Sequence, residues 1–354
     1  MPRRDAHAAI LNADCCARSV RTGLSTITPS SSVDAEILQE KGDELAMILD
    51  AAGFFLTGGS GHGRIVEWLA LQLHQFRADC PDAVWQNVMP LARAHRVQGI
   101  VMQDPIIARL RDKPRGYGPD GVTLDLFLGQ SGARALLDRA NRSGREICGY
   151  TRGCAFGRGL RDRGARLAGM VDATAARRPG AKVLTVGCAH LREAGLSEAF
   201  RAGRLTRWTA LDGDEANLAE VARWTAGSVV EPKFASTGSL PTHGRDLGAY
   251  DLVCAAGALD DLPAKQAADL ARRLFDLVRP GGDLVLSAFG TGGVPAAFMP
   301  AAFMEVFAAW TPILHDADAL AGLARAATEG TQARIQLVQG NTGDVTYAII
   351  RRPG

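Results

Sequence analysis

The chain has 354 residues, 47% of them hydrophobic and 22% charged, with a formal net charge of +2. That composition excludes a disordered chain, and the length suits one large domain or two that share an interface. The near-neutral charge makes nucleic acid an unlikely partner: the arginines between Arg142 and Arg178 are interrupted by acids and glycines and read as a solvated helical surface.

Residues 1–32 begin with an apolar run too short and broken for a signal peptide and end in the Ser/Thr/Pro cluster Thr26 to Ser32. They are expected to be a flexible N-terminal segment. No stretch approaches about 18 uninterrupted apolar residues, so no membrane span is expected. The seven cysteines, Cys15, Cys16, Cys80, Cys148, Cys154, Cys188 and Cys254, form no CxxC pair, which implies reduced thiols and a cytoplasmic protein. No His/Cys grouping has metal-ligand spacing, so no metal is expected.

From Asp34 to Arg77 the pattern is helical, through Ile37, Leu45, Ile48 and Leu49 and then Ile65, Trp68, Leu69, Leu73 and Phe76. The glycine-rich break Gly58 to Gly63 resembles a phosphate loop. It follows no strand and lacks Lys-Ser/Thr at its end, so it reads as an interruption. A third helix is expected over Ala83 to Arg96. Residues 99–129 read as the least regular part, with Gln103-Asp-Pro and the loop Lys113-Pro-Arg-Gly-Tyr-Gly-Pro-Asp, whose prolines and glycines forbid a helix. Arg115 and Tyr117 on that loop are candidates for orienting a substrate or a cofactor carboxylate, because guanidinium and carboxylate pair bidentately. The other reading has them holding the loop against the core. Helices over 132–141 and 159–177 follow. Residues 33–150 are assigned to a mostly helical cap that would close over a site and carry a homodimer contact.

At Gly180 the texture changes to strands alternating with helices, and residues 151–354 are assigned to an α/β domain with a parallel sheet. Strands are expected at Ala181 to Val186, Leu205 to Leu211, Asp251 to Ala256 and Gly282 to Phe289. Helices are expected at 197–202, 215–225 and 263–277. A third strand should end near Ser239 and Leu240. Ile335 to Val338 and Val345 to Ile350, joined by Gly340-Asn-Thr-Gly, read as an antiparallel hairpin at the sheet edge. The fold class is therefore a Rossmann-like seven-stranded sheet with an antiparallel C-terminal hairpin, plus the N-terminal helical cap.

Three features fall in the order a nucleoside crevice needs. The first strand ends in Val186-Gly187-Cys188-Ala189-His190, where a glycine with small neighbours lets the backbone turn and approach a ligand. The second ends in Leu211-Asp212-Gly213, where a carboxylate can accept both ribose hydroxyls. The strand beginning at Tyr250 ends in Ala255-Ala-Gly257 on the same crevice. No G-x-G-x-x-G is present, which disfavours a dinucleotide.

These stretches, with Leu274-Phe-Asp-Leu-Val-Arg-Pro-Gly-Gly-Asp-Leu-Val-Leu, resemble the class I S-adenosylmethionine (SAM) methyltransferases. From about His95 onward, Gly187-Cys-Ala-His-Leu-Arg-Glu-Ala, Ala255-Ala-Gly-Ala-Leu-Asp-Asp-Leu-Pro, Gln103-Asp-Pro and Lys113-Pro-Arg-Gly-Tyr also resemble a bacterial subgroup. Its members include proteins that make the methyl ester of 3-hydroxypalmitic acid. The resemblance implies SAM as cofactor and places Gly187, Cys188, Ala189, Asp212, Gly213, Ser239, Leu240, Ala255 and Gly257 around it, with Ser239 and Leu240 near adenine. Ala189 departs from the family, which has glycine there, and Glu193 is the candidate to contact the cofactor's amino group.

A carboxylate acceptor would need only desolvation and alignment, whereas a hydroxyl or amine needs a proton acceptor. His190 stands at the right strand end for that role, with a capping or packed histidine as the alternative. Phe289, Phe298, Phe303, Met304, Phe307 and Trp310 supply apolar bulk, either core or the wall of a pocket for an apolar acid. Three functions compete: a methyltransferase for a small molecule, acting on carboxylate or on O, N or S; a nicotinamide oxidoreductase, disfavoured by the missing glycines and the terminal hairpin; and a catalytically silent methyltransferase-like partner protein.

Overall fold

The structure is a computed structural model that describes residues 35–59, 61–236, 240, 247–260, 262–289, 301–311, 313, 315–343 and 345–354. The segment 1–32, Ser239 and Phe298 lie outside the described residues.

Helices α1 (Ala35–Thr57), α2 (His62–Ala78) and α3 (Asp82–Ala94) bury one stripe each, Leu45, Leu49 and Leu56 from α1 and Val66, Leu69, Leu73 and Phe76 from α2. The expected glycine-rich break lies where α1 ends and α2 begins, with Gly59 and Gly61 at positive φ and His62 and Gly63 already in the first turn of α2. The stretch expected to be least regular is mostly helical. It forms α4 (Val97–Val101), α5 (Pro105–Asp112) and α6 (Gly121–Leu128), and only residues 113–120 form the shaped loop. The reason is capping. Asp104 and Asp120 each accept a backbone N–H from the first turn they precede, and Pro105 starts α5 where its missing N–H costs nothing. Short helix α7 (Arg134–Arg139), α8 (Arg142–Gly153) and the long α9 (Ala155–Arg177) lead to the sheet, whose first three strands are connected by α10 (Glu198–Arg201) and α11 (Glu215–Trp224).

The sheet contains β1 (Ala181–Val186), β2 (Leu205–Asp212), β3 (Val230–Phe234), β4 (Tyr250–Ala255), β5 (Val278–Phe289), β6 (Arg334–Gln339) and β7 (Val345–Arg351), in the order β3-β2-β1-β4-β5-β7-β6. The first five run parallel, while β7 lies antiparallel between β5 and β6. This is the seven-stranded arrangement the sequence predicts, with its hairpin at the edge. The third strand, however, ends at Phe234, ahead of Leu240. Leu240 is a buried core residue packed with Leu184, Val186 and Leu211. Pro232 and the charges beside it hide β3 from a strand search, and its edge position is where a strand tolerates proline.

Side chains alternate between two cores. Leu184, Val186, Val253, Leu284 and Leu286 face α12 (Ala264–Asp276) and α14 (Ala317–Ala327). Val183, Leu252, Cys254 and Val285 face the other way, into one continuous core with α9 and the N-terminal helices. Between α12 and α14, Ala301–Phe303 begins α13, which continues as a π-helix over Met304–Ala308. Phe303, Met304 and Phe307 are buried in that core, which settles them as packing residues.

Candidate functional site

All parallel strands of such a sheet point their C-terminal ends the same way, so the loops after β1, β2 and β4 meet. The loop after β1 coils tightly, with Gly187, Ala189 and Leu191 all at positive φ (64°, 46° and 51°). Alanine and leucine are uncommon in that region, and the strain is held by bonds to β2. The Cys188 amide donates to the Leu211 carbonyl (3.0 Å) and the Ala189 amide to Asp212 Oδ2 (2.7 Å). Asp212 Oδ1 accepts from the Asp214 amide at 2.9 Å and from Asn217 Nδ2 at 3.2 Å. Burial nevertheless holds its carboxyl above the usual range. The Cys188 thiol is buried beside Asp212 and is pushed well up, first by desolvation, so it stays a neutral packing group.

Two cavities open on this loop. The cavity beside Asp212, about 350 Å³, is lined by Asp212, Gly213, Asn217, Ser236, Ala258 and Trp310, among others. The second, about 340 Å³, has apolar walls from Leu124, Leu128, Leu160, Leu167 and Leu196. They join along Gly121, Leu124, Arg163, Gly187, Ala189 and Gly257, which line both. Ala256 and Gly257 face the cavities, whereas Ala255 is buried in the opposite core.

Loop 113–120 is clamped onto the start of α11 (Glu215–Trp224). Arg115 Nη1 donates to Asp214 Oδ2 (2.8 Å) and Asn217 Oδ1 (2.6 Å), and the Tyr117 hydroxyl donates to Asp214 Oδ2 (2.7 Å). Tyr117 lines the cavity beside Asp212; Arg115 lines neither. Burial, reinforced by the Asp214 carboxylate, raises the Tyr117 phenol far above neutrality. The geometry is that of a loop strap, the alternative the sequence left open.

His190 is buried on the floor of the apolar cavity. Its Nδ1 pairs with Asp125 Oδ2 at 2.8 Å, and its Nε2 is enclosed without a partner against Gly121, where a Cβ would overlap the ring. Asp125 also takes Arg192 through two bonds of 2.8 and 2.7 Å, and Arg192 bridges onward to Glu220. Asp125, His190 and Glu220 bring ligand atoms within 4.8 Å of one another, but the Arg192 guanidinium bonds both carboxylates and supplies the positive charge there. Burial opposes ionisation of Asp125, yet Arg192 and His190 hold it below the ordinary range. Glu193 lines the same cavity, and burial pushes its carboxyl up to about 7 against the pull of Arg163.

Arg163 escaped the sequence reading. It lies on the buried stripe of α9 between Leu160 and Leu167 and reaches the Ala256 carbonyl (2.6 Å) and Asp260 (3.1 Å) over the Phe289 ring. A cation within an apolar helical stripe, like Asp125 within the apolar α6, was the available signal, since buried charges demand partners.

No family profile matches the chain, and no curated protein matches it in sequence. Solved structures that it resembles include a possible exported protein from Bordetella parapertussis, 16% identical with a TM-score of 0.49 over 75% of this chain and 97% of that one. The N-methyltransferase NodS from Bradyrhizobium japonicum, in complex with S-adenosylhomocysteine, is 17% identical with a TM-score of 0.39, over 55% and 88%. Magnesium protoporphyrin IX methyltransferase ChlM from Synechocystis, bound to the same molecule, is 16% identical with a TM-score of 0.41, over 55% and 86%.

Proposed function

We propose that the protein is a SAM-dependent methyltransferase that esterifies the carboxylate of an apolar small-molecule acid, a fatty-acyl acid included. The observation that carries this is the Ala189–Asp212 junction. It ties a left-handed loop after β1 to an acid at the end of β2, on a cavity of nucleoside size that opens into an apolar one. The antiparallel β7 and the absence of a dinucleotide glycine motif disfavour the oxidoreductase.

When bound, the cofactor supplies an electrophilic methyl carbon on a sulfonium that leaves as a neutral thioether. The donor set fits it. Asp212 retains lone pairs for ribose hydroxyls, Gly213 and Ser236 line the nucleoside side, and Glu193 offers a carboxyl to an ammonium. Gly187, Ala189 and Gly257 line both cavities where they join, so an acceptor in the leucine-lined cavity would be brought beside a methyl donor held on the Asp212 side, among apolar walls that exclude water. A carboxylate needs no base for this step. His190, enclosed on both ring nitrogens, acts here as a strut that holds the loop on Asp125 rather than as a base.

Glu193 favours a second reading. A carboxyl that titrates near neutrality is suited to take a proton from a hydroxyl or amine acceptor. We also propose that α1–α8 act as the cap, through α6 and loop 113–120. The homodimer contact is placed on α1, where Met47 (67%), Phe54 (72%) and Phe55 (55%) are exposed. Sedimentation of the full chain as a monomer would remove that contact. No helix among the described residues is long and apolar enough to cross a membrane, and the cytoplasm is proposed as the site of action, the five described cysteines being free thiols.

Isothermal titration with S-adenosylhomocysteine and NADH tests the assignment. Micromolar binding of the sulfur ligand is expected, weakened more than about tenfold in Asp212→Ala and less in Asp212→Asn, which keeps an acceptor for the loop amides. Tight NADH binding, or no binding of either ligand to the folded wild type, overturns it.

A further inference from the structure

Around the site Arg109 pairs with Asp120, Arg163 with Asp260 and Arg192 with Asp125. The half-buried Arg152, in the last turn of α8, and the exposed Arg158 and Arg161, in the first two turns of α9, have no carboxylate partner among the described residues and bond main-chain carbonyls instead. Arg161 donates to the Arg152 carbonyl at 3.0 Å and to the Phe127 carbonyl at 3.3 Å. Arg152 Nε reaches the same Phe127 carbonyl at 3.5 Å, and Arg158 the Gly153 carbonyl at 2.7 Å.

Each guanidinium has five donors, so one or two carbonyls leave most of them unspent. The charges also crowd one another. Partial burial and the nearby Arg152 and Arg158 hold the Arg161 guanidinium below its usual value. Of the three, Arg161 lines the apolar cavity, with Gln130, but not the cavity beside Asp212, which puts its guanidinium on the acceptor side and off the junction; Arg152, whose Nε shares the Phe127 carbonyl with it, and Arg158, one turn before it on α9, flank it.

We propose that Arg161 at the mouth of the apolar cavity, with Arg152 and Arg158 flanking it, forms an anion-binding rim that holds a second anionic group of the methyl acceptor, separate from the group that is methylated. This rests on the reading that the leucine-lined cavity takes the acceptor. The substrate class is then an amphiphile: a reacting group at the Gly187–Gly257 junction, an apolar body along Leu124, Leu160 and Leu167, and a phosphate-, sulfate- or carboxylate-like end at the rim. Guanidinium forks match such planar or tetrahedral oxyanions, and the exchange of main-chain carbonyls for an anion relieves the mutual repulsion.

The test is calorimetric titration of the full chain with octyl phosphate and with octanol, in wild type and in the double variant Arg158→Gln/Arg161→Gln, with S-adenosylhomocysteine titrated in parallel. Wild type should bind octyl phosphate about tenfold more tightly than octanol, a preference that shrinks as salt is raised. The double variant should lose the preference and keep its affinity for S-adenosylhomocysteine. Equal binding of the two probes by wild type, or a preference that survives the double substitution, overturns the rim. A fall in S-adenosylhomocysteine affinity in the variant would assign the arginines to the cofactor's own carboxylate and likewise overturn it. Failure of wild type to bind S-adenosylhomocysteine strikes the methyl-transfer reading instead, whatever the two octyl probes do.

Discussion

Glu193 is a cavity residue whose charge changes within the physiological range. Burial raises its carboxyl from 4.5 to about 7, so the folded chain keeps a proton there that the unfolded chain gives up near 4.5. Stability is therefore favoured below 4.5 and falls as the pH rises through about 7, the opposite of a salt-bridged acid. A ligand ammonium reverses the balance, since it stabilises the ionised form. Affinity for S-adenosylhomocysteine should accordingly climb between pH 5.5 and about 7.5 in wild type, around that carboxyl's value of about 7, and be flat in Glu193→Gln. In the ligand-free protein the same substitution should raise the melting temperature at pH 8 and leave it unchanged at pH 4.5. A flat affinity profile in wild type would remove Glu193 from the cofactor's amino group and leave the general-base role as its remaining one.

At the level of elements, the sequence was most informative where hydrophobic period and turn chemistry agreed. The strands β1, β2, β4, β5 and the β6–β7 hairpin lie within a few residues of their expected limits, because central strands of a covered sheet read as short apolar runs with turns at both ends. Helix α8 was missed. Its buried face is Gly144, Ile147, Cys148 and Thr151, and small residues that read as breaks are what allow its backbone to pack against Gln103. Helix α14 was also passed over, being built on alanine with Leu320 and Leu323. The partners of α8 likewise come from far along the chain. Its Glu146 accepts from the ring and the backbone amide of His62 at the start of α2 (2.9 and 3.2 Å) and from Arg142 at 3.0 Å. Those bonds, His62 first, hold Glu146 down at about 2 instead of 4.5. The sign is that of a depressed acid: its stabilisation is full above 4.5 and disappears as the pH falls through about 2. Glu146→Gln should melt earlier than wild type at pH 6, and the two curves should converge near pH 2. Parallel curves across that whole range would show that the α2–α8 contact does not depend on the charge.

The division into a cap and a sheet domain bears on the whole molecule, and the packing argues that the two are one cooperative unit. A single hydrophobic core runs from Leu45 in α1 through Trp85, Ile106 and Phe127 to Val183, Leu252 and Val285 on the sheet. The π-helix near the C-terminus is seated among the N-terminal helices: Glu305 accepts from Trp85 Nε1 (2.7 Å), its carbonyl from Arg93 (2.8 Å), and the Val306 and Phe307 carbonyls from Arg111 (3.1 and 3.3 Å). Partly buried bonds that span more than 190 residues of sequence tie the two parts together and argue against a hinge between them. The sequence could not show this, because a period tells which face of a helix is apolar but not which distant face covers it. Urea unfolding followed by far-ultraviolet dichroism and by tryptophan fluorescence should therefore give one coincident transition. A fragment spanning 151–354 should lose the cover over Val183, Leu252 and Val285 and expose enough apolar surface to bind a hydrophobic dye and aggregate. Two resolved transitions, or a fragment that stays monomeric and binds S-adenosylhomocysteine as the full chain does, would show instead that the helices are an independent cap. In that case closure by cap movement, rather than by loop 113–120 alone, becomes the way the site excludes water.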